Sequence, residues 1–467
     1  MKRQWIMAGV ICLCLALLGV AWFVLGSPEN TGEDSGETEI AAWANEETVQ
    51  EVQVQNDQGG YTLRWTEEEA EAEGLEGLPL DTGTIGDIRD SLGSLTASRE
   101  IIDGQGRLAD FGLEEPAAQA EITAEDGDSL TLLVGDEVPD EETSSRYVSW
   151  ENRVFTVESG QVEGLLYGNA SLLSRELTPD SDENFLVTRV AISRQDGEDI
   201  VIEYSDSQEL AGYTVNSYQM VSPREYPADS GLAEDVFPGL FGLEADSVTA
   251  IHPSDQEKEN LGTASPWKTL QVDYTDGEGE EHSFSLAVSQ PENGVVSVVS
   301  GETDILYQGS EEDMSWLDET EETLVSHTVL APDIKTLAEL EITAGEEQYV
   351  FRLQNVGEDD EKITCGGEET DGSSFRSFYY TLIGFSADDV LFENFPDTAS
   401  LTETVRVRYV YTDGTEDVLA CYEEAPRQIY AELNQGERGF RLTATQVETM
   451  LETVQRLAAG EEIEARY

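Results

Sequence analysis

An alternating apolar pattern that runs into an Asp-Gly turn occurs three times in this chain of 467 residues. The three segments read AEITAEDG at 120–127, LQVDYTDG at 270–277 and VRVRYVYTDG at 405–414. A period of two with one apolar face is typical of half-buried strands, and Asp-Gly between such runs is a specific hairpin signal. The sequence therefore predicts antiparallel sheet at three separate places.

Other landmarks recur around these turns. Each copy opens with an alternating hairpin, which predicts two further half-buried strands. The apolar positions of these hairpins are Val52, Val54, Tyr61, Leu63 and Trp65; Val190, Ile192, Ile200, Ile202 and Tyr204; and Leu340, Ile342, Tyr349, Phe351 and Leu353. A short helical stretch then leads into 95–97, 243–245 and 385–387, which we expect to occupy one structural position. Gly242 and Gly384 precede two of these segments and suit a helix end in the left-handed conformation.

Each copy closes with two more strands and an amphipathic helix, at 161–166, around Trp316 and at 444–451. The order is roughly ββα followed by ββββα. Equivalent landmarks lie about 140 to 150 residues apart, much farther than the roughly 20 to 50 of solenoid repeats, so each copy is long enough for its own core. We predict an α+β fold of three tandem related units of antiparallel sheet with packed helices. Pro and Asp residues at the junctions indicate bounds of 48–179, 180–333 and 334–467 for the three units.

The N-terminal part of the chain predicts a membrane anchor. Residues 5–25 are uncharged and apolar, about as long as the roughly 20 residues that cross a bilayer. Lys2 and Arg3 precede this stretch, so the positive-inside rule predicts a cytoplasmic N-terminus at 1–4 and a single-pass protein of the cell membrane with its bulk extracytoplasmic. Residues 26–47 read as an acidic spacer. A cleaved signal peptide is the alternative, but the apolar run exceeds the usual roughly 7 to 15 residues and no clear cleavage site follows.

The charge balance limits the partners. Lys and Arg number 25 against 98 Asp and Glu, a formal net charge of −73, while 39% hydrophobic residues still support packed cores. A surface this negative repels the phosphate backbone of nucleic acids and attracts cations. We therefore predict no nucleic-acid binding and a nonspecific attraction for cations. Membrane lipid is expected to contact the chain through residues 5–25.

Several patterns resemble catalytic or metal sites without their full constellation. Gly127 to Leu130 spells the Gly-Asp-Ser-Leu of a lipase and esterase family, but the matching turns at 277–280 and 414–417 lack Ser, and no Asp-x-x-His follows. The three histidines, His252, His282 and His327, lack zinc-site spacing, and no phosphate-binding glycine motif is present. We therefore predict a protein that is not an enzyme, with no catalytic residue, no cofactor and no specific metal ligand.

Two acidic segments and two cysteines outside the predicted membrane span each allow two interpretations. The segments 276–281 and 358–361 can attract Ca²⁺ weakly but lack the spacing of a calcium loop, which favours a solvated acidic face. Cys365 and Cys421 fit either a single disulfide or two partly buried thiols.

A family resemblance rests on Phe111, Gly112, Leu113 and Pro116, followed by the hairpin turn at Asp126 and Gly127. This arrangement resembles the bacterial domain-of-unknown-function family numbered 4340, over roughly residues 48 to 178. The match fades in the second unit, at 260–266, and in the third, at 395–397, where the Gly-Leu step is missing. From the residues alone the motif is structural, because Gly112 ends a helix, Leu113 packs back on it and Pro116 prevents its continuation.

The resemblance also implies a partner. Members of this family carry one N-terminal membrane helix and are encoded beside ABC-type transporters of the gliding-motility type, whose permease subunits are the implied partners. We therefore expect a non-catalytic, membrane-anchored extracytoplasmic accessory or scaffold protein associated with such a transporter. The alternative is a cell-surface binding module for cations or a cell-wall polymer.

Overall fold

The computed structural model describes residues 40–43, 48–66, 69–139, 144–181, 184–205, 217–301 and 303–464. The predicted cytoplasmic segment 1–4, the predicted membrane span 5–25 and most of the spacer 26–47 lie outside the described residues. Within those ranges, none of the helices combines the length and the apolarity that crossing a bilayer demands.

The described residues divide into two compact units, of which the first comprises those up to Glu76 together with Thr82–Asn169. It contains a two-stranded sheet and an eight-stranded antiparallel sheet of order β4-β3-β2-β7-β8-β9-β10-β6. Its strands are β1 Ile40–Ala41, β2 Val49–Asn56, β3 Tyr61–Trp65, β4 Ala70–Ala72, β5 Thr96–Ala97, β6 Arg99–Ile101, β7 Ala118–Ala124, β8 Ser129–Glu137, β9 Ser145–Trp150 and β10 Arg153–Glu158. Its helices are α1 Thr82–Gly93 and the 3-10 helices Gly104–Phe111, Ser159–Gln161 and Glu163–Leu166.

The second compact unit comprises Gly77–Asp81 and Ala170–Tyr467 and holds two nine-stranded sheets. The second large sheet contains β11 Leu186–Arg194, β12 Ile200–Tyr204, β13 Tyr218–Ser222, β14 Tyr226–Pro227, β15 Ser247–Ile251, β16 Lys268–Thr275, β17 Glu281–Val288, β18 Val295–Ser300 and β19 Ile305–Ser310. The third contains β20 Leu337–Ala344, β21 Glu347–Gln354, β22 Lys362–Cys365, β23 Glu368–Glu369, β24 Asp389–Leu391, β25 Thr402–Tyr411, β26 Glu416–Ala425, β27 Gln428–Leu433 and β28 Arg438–Thr443. The α-helices are α2 Asp255–Asn260, α3 Glu321–Leu324, α4 Gly372–Ile383 and α5 Ala444–Ala458.

The strand orders of the three large sheets follow one plan. The second runs β14-β13-β12-β11-β16-β17-β18-β19-β15, and the third runs β23-β22-β21-β20-β25-β26-β27-β28-β24. In every case the first strand of the opening hairpin pairs with the strand that leads into the Asp-Gly turn, and an earlier short strand returns to the far edge. The strands at the two edges of each sheet are additional to the six that the sequence predicts. They were not predicted because segments of two to five residues are too short to show a period of two.

The central ladders carry a β-bulge at the same place. The register shifts between Val49 and Glu51 in β2, between Val187 and Arg189 in β11, and between Leu337 and Glu339 in β20. Beyond the bulge, buried apolar residues face each other. These pairs are Val52↔Ile122, Val190↔Val272 and Leu340↔Tyr409. The bulge bends the strand and the apolar pairs hold its register, since a slip by one residue would turn the apolar face to water.

The three predicted hairpin turns are present, but the second one is built differently. Gly127 and Gly414 have φ angles of 93° and 89°, and each follows an Asp whose carboxylate accepts a backbone N–H across the turn. In the second sheet the ladder extends to the pair Thr275↔Glu281, directly before Asp276, and the Asp276 N–H donates to the Glu280 carbonyl oxygen, so the positive φ falls on Gly279, at 85°. Two glycines within three residues allow that longer hairpin, because either can take the left-handed conformation.

Each segment expected to share one structural position pairs with the chain that enters its sheet. Strand β5 pairs with β1 at Ala97↔Ile40, and isolated bridges join Glu244 to Glu176 and Ser386 to Thr328. The segments 95–97, 243–245 and 385–387 therefore have matching pairing partners.

Two local helix predictions need correction. Gly242 has the expected positive φ, at 65°, but Gly384 caps α4 with a φ of −79°, because its N–H still bonds to the carbonyl oxygens of Tyr380 and Leu382 as in a helix. The closing helices of the first two sheets are short 3-10 turns, whereas the third is α5. Gly160 and Gly164 disfavour an α-helix in the first case.

Candidate functional site

The family motif forms a small apolar cluster in the first compact unit. We call this cluster the motif cluster. Its buried residues are Phe111, Leu113 and Val154, and its partly buried ones are Ile101, Leu108, Leu133 and Tyr147. The ring centroids of Phe111 and Tyr147 lie 4.8 Å apart. The motif therefore joins the 3-10 helix Gly104–Phe111 to the strands β8, β9, β10 and β6.

Gly112 ends this helix as the sequence predicts. Its φ of 68° is left-handed, its N–H donates to the carbonyl oxygen of Leu108, and the Leu113 N–H reaches the same oxygen at 3.0 Å. A Cβ on Gly112 would lie 2.5 Å from Cγ of Asp136 and 2.8 Å from its backbone nitrogen. Glycine is needed here for both backbone conformation and space.

Gly135 of β8 lies on the other side of this close contact between the motif and the strand. It was not among the residues predicted from the sequence. A Cβ there would lie 2.1 Å from the carbonyl oxygen of Phe111 and 3.1 Å from the Leu113 side chain. A glycine inside a strand pattern signals a close backbone approach, so the signal was present in the run Leu133 to Asp136.

The remaining motif residues also have structural places. Pro116 is partly buried two residues before β7 begins at Ala118, where its missing N–H ends the preceding turn. Asp126 and Gly127 form the turn between β7 and β8, with the Asp126 carboxylate 2.9 Å from the Asp128 nitrogen. The six motif residues therefore contribute packing, caps and turns.

The third sheet contains a similar cluster without the motif. Its buried residues are Ala420, Tyr422 and Tyr430, packed against Leu391 and Leu401. The rings of Tyr422 and Tyr430 are stacked with centroids 6.2 Å apart. The Tyr422 ring on β26 fills the space over its strand. In the first sheet, Gly135 on β8 leaves the corresponding space open for the backbone of the motif.

The groups that resemble catalytic residues have other partners. Ser129 is exposed at the start of β8, opposite Thr123. His252 Nδ1 lies 2.8 Å from Asp304, and His327 lies between the carbonyl oxygens of Ala387 and Glu322 at 2.8 and 3.0 Å. These two histidines occupy polar positions in loops of the second compact unit.

The acidic turn of the second sheet brings three potential metal ligands together. Ligand atoms of Asp276, Glu280 and His282 all lie within 4.8 Å of one another. His282 Nε2 is 2.9 Å from the Asp276 carboxylate, and this hydrogen bond, with the Glu280 backbone N–H, lowers the pKa of Asp276. All three are partly or fully exposed, and the Asp276 oxygens already serve the turn, so the cluster suits weak cation contact.

The two cysteines outside the predicted membrane span are free thiols. Cys365 lies on β22 and Cys421 on β26, with β21, β20 and β25 between them in the sheet. Adjacent strands are about 4.8 Å apart, so the two Cα atoms lie far beyond the roughly 7 Å limit for a disulfide. Burial raises the pKa of Cys421 to about 12.

Alkaline pH is expected to weaken the second compact unit through Cys421. Because its folded pKa is raised above the ordinary value of 9.0, its stabilising effect is complete below pH 9 and declines as pH rises toward 12. At pH of about 10.5 the loss is about 2 kcal/mol of unfolding free energy. Urea midpoints at pH of about 7 and 10.5 measure it, and Cys421→Ala should reduce the difference by that amount, while buried tyrosines such as Tyr409, whose pKa burial also raises, account for the remainder. An identical pH dependence in the variant would contradict this assignment.

Aromatic and cationic side chains join the second and third sheets inside the second compact unit. Tyr226 of β14 meets Phe392, just after β24, edge to face with centroids 5.7 Å apart. The Arg224 guanidinium lies 4.5 Å from the Phe392 ring, and that of Arg438 lies 4.7 Å from the Tyr226 ring. We call Arg224, Tyr226, Phe392 and Arg438 the seam.

The Tyr226 to Phe392 contact is expected to show in a double-mutant cycle. Replacing each ring with leucine, singly and together, should give a coupling energy of about 0.5 to 1.5 kcal/mol, as for other aromatic pairs. Urea unfolding of the four proteins measures this energy. Strict additivity would show that the two rings do not interact.

Together these features define a class: a protein of large antiparallel sheets with short helices, whose motif residues form a packing cluster. Residues 71–262 match the model of the family described as Domain of unknown function (DUF4340), which confirms the resemblance to that family over this part of the chain. The match begins in β4 and ends after α2, so it starts later and extends farther than the resemblance at 48 to 178. No curated protein and no solved structure matches the chain.

Proposed function

We propose that this chain is a non-catalytic, membrane-anchored extracytoplasmic accessory or scaffold protein built from three copies of one unit. The observation that carries the proposal is the structural role of the family motif. Phe111 and Leu113 are buried in packing, Gly112 and Gly135 permit a close backbone approach, and the turn glycine Gly127 has a positive φ. Motif residues that serve packing and turns suit a protein that presents surfaces to partners.

Registers within the sheets support the repetition. If the bulges after Val49, Val187 and Leu337 are superposed, the ladders align the turn residues Asp126, Asp276 and Asp413 without a gap. Continuing along the meander, the same registers align the buried rings of Phe155, Tyr307 and Phe440. A shared register over several ladders is what duplication of one unit produces.

Anchoring is supported by residues 5–25, and the acidic composition suits a domain held away from an anionic membrane. Within the accessory role, the partner we propose is the permease of an ABC-type transporter of the gliding-motility type, as the family resemblance implies. Scaffold surfaces on three units would let one chain contact several subunits.

Co-purification of the full chain in mild detergent tests this function. We expect a transporter permease to be recovered with the chain and not with an unrelated single-pass protein of similar abundance in the same extract. A chain that is always recovered alone would contradict the proposed association. Hydrolysis of ester substrates that Ser129→Ala abolishes would contradict the non-catalytic role.

The alternative is a surface module that binds cations or a cell-wall polymer. The grouping of Asp276, Glu280 and His282 favours the cation version. Calcium titration of the full chain and of Asp276→Asn separates the two: a saturable site lost in the variant supports this alternative, and shallow nonsaturating binding supports the scaffold.

A further inference from the structure

Ile102 is the most exposed of the large hydrophobic residues in the described chain, with 84% of its surface accessible. It directly follows the edge strand β6, and its neighbour Ile101 packs against the motif cluster. A single exposed apolar residue is ordinary, but this one has a counterpart whose contacts are known.

The counterpart is Phe392, and this equivalence rests on the proposed repetition. In the first sheet Glu100 lies opposite the buried Phe155, and in the third Val390 lies opposite the buried Phe440. Two residues after each edge partner come Ile102 and Phe392. Ile101 and Leu391, which precede them, both pack against the small cluster of their own sheet.

In the third sheet this position is covered. Phe392 is half-buried, with the Tyr226 ring edge-on at 5.7 Å and the Arg224 guanidinium 4.5 Å from its ring. An acidic residue, Glu393, follows Phe392, as Asp103 follows Ile102. An aromatic ring would also cover Ile102, through apolar contact because isoleucine has no π face, and an arginine beside that ring would meet the Asp103 carboxylate.

We propose that Ile102, Ile101 and Asp103 form a docking surface for a partner protein that presents an aromatic side chain beside an arginine on an edge strand or loop. A second copy of this chain fits less well. Strand β23 ends the third sheet where β14 ends the second, and it carries Glu368 and Glu369 instead of an aromatic residue. Those carboxylates would meet Asp103, and chains of −73 net charge repel each other.

Photo-crosslinking on the purified full chain tests this surface. Benzoylphenylalanine is placed at position 102 or, as a control, at position 380, because Tyr380 is also an exposed apolar residue, at 65%. The probe is a labelled synthetic peptide with the sequence 222–228, SPREYPA, which contains Arg224 and Tyr226. Both substitutions are at exposed sites and leave the core intact.

We expect a crosslink yield at 102 about fivefold above that at 380, equivalent to about 1 kcal/mol, and a return to the control yield when both Arg and Tyr of the peptide are replaced by Ala. Equal yields at both positions, or no effect of those replacements, would overturn the proposal. Crosslinked dimers of the chain without peptide would overturn it in favour of a second copy. Failure of the peptide with successful permease co-purification would reject this surface and leave the accessory role standing.

Discussion

Gly135→Ala is expected to lower the unfolding free energy of the first compact unit by about 3 kcal/mol, the upper range for overpacking a close contact. The new Cβ would lie 2.1 Å from the carbonyl oxygen of Phe111, and that atom is backbone, which cannot rotate away. The motif segment must then lift off β8, which opens the contact between Leu113 and Val154. Urea unfolding of the full chain, followed by hydrogen exchange in peptides from β7 to β10, measures the loss.

Gly106→Ala is the matched control for this change. Gly106 lies in the 3-10 helix that carries the motif, without a positive φ, and a Cβ there meets no atom within 4 Å. Its unfolding free energy should change by less than about 1 kcal/mol. If Gly135→Ala behaved like this control, the close approach of motif and strand would be refuted.

Phe440→Ala is expected to lower the unfolding free energy of the second compact unit by about 3 to 5 kcal/mol. Phe440 is fully buried in β28, between Ala431 of β27 and Val390 of β24, so its removal leaves a cavity at the base of the edge strand. Tyr380→Ala, an aromatic truncation at a residue with 65% exposure, is the control and should cost well under half as much.

The same substitution at Phe155, the corresponding ring in β10, should destabilise the first compact unit by a similar amount. Segment-resolved hydrogen exchange assigns each loss to its unit. A loss at Phe440 no larger than that at Tyr380 would show that this position is not a core site.

The central strands were predictable because their signal is local and strong. The alternation at Val52, Ile192 and Leu340 marks strands with one buried face, and the glycines of the turns mark where they reverse. The cap at Gly112 was predictable for the same reason, since a glycine followed by Leu and then Pro identifies a helix end.

The sequence interpretation missed features that depend on distant residues. Strands such as β6 and β24 are defined by the strand that they pair with and not by their own three residues. The contact of Gly135 with Phe111 joins positions 24 residues apart, and the seam joins Tyr226 to Phe392. Such contacts follow from the arrangement of the sheets, which local patterns do not encode.

Hydrogen exchange of the full chain, resolved by segment, tests the central claim that three copies of one unit make up this protein. We expect the slowest amides of each large sheet in the ladder between the opening strand and the turn strand, β2 with β7, β11 with β16 and β20 with β25, because these pairs lie inside their sheets and face each other with buried apolar residues. Protection centred on a different pair in any one sheet, or exchange of one of these ladders at the rate of exposed loops, would contradict it.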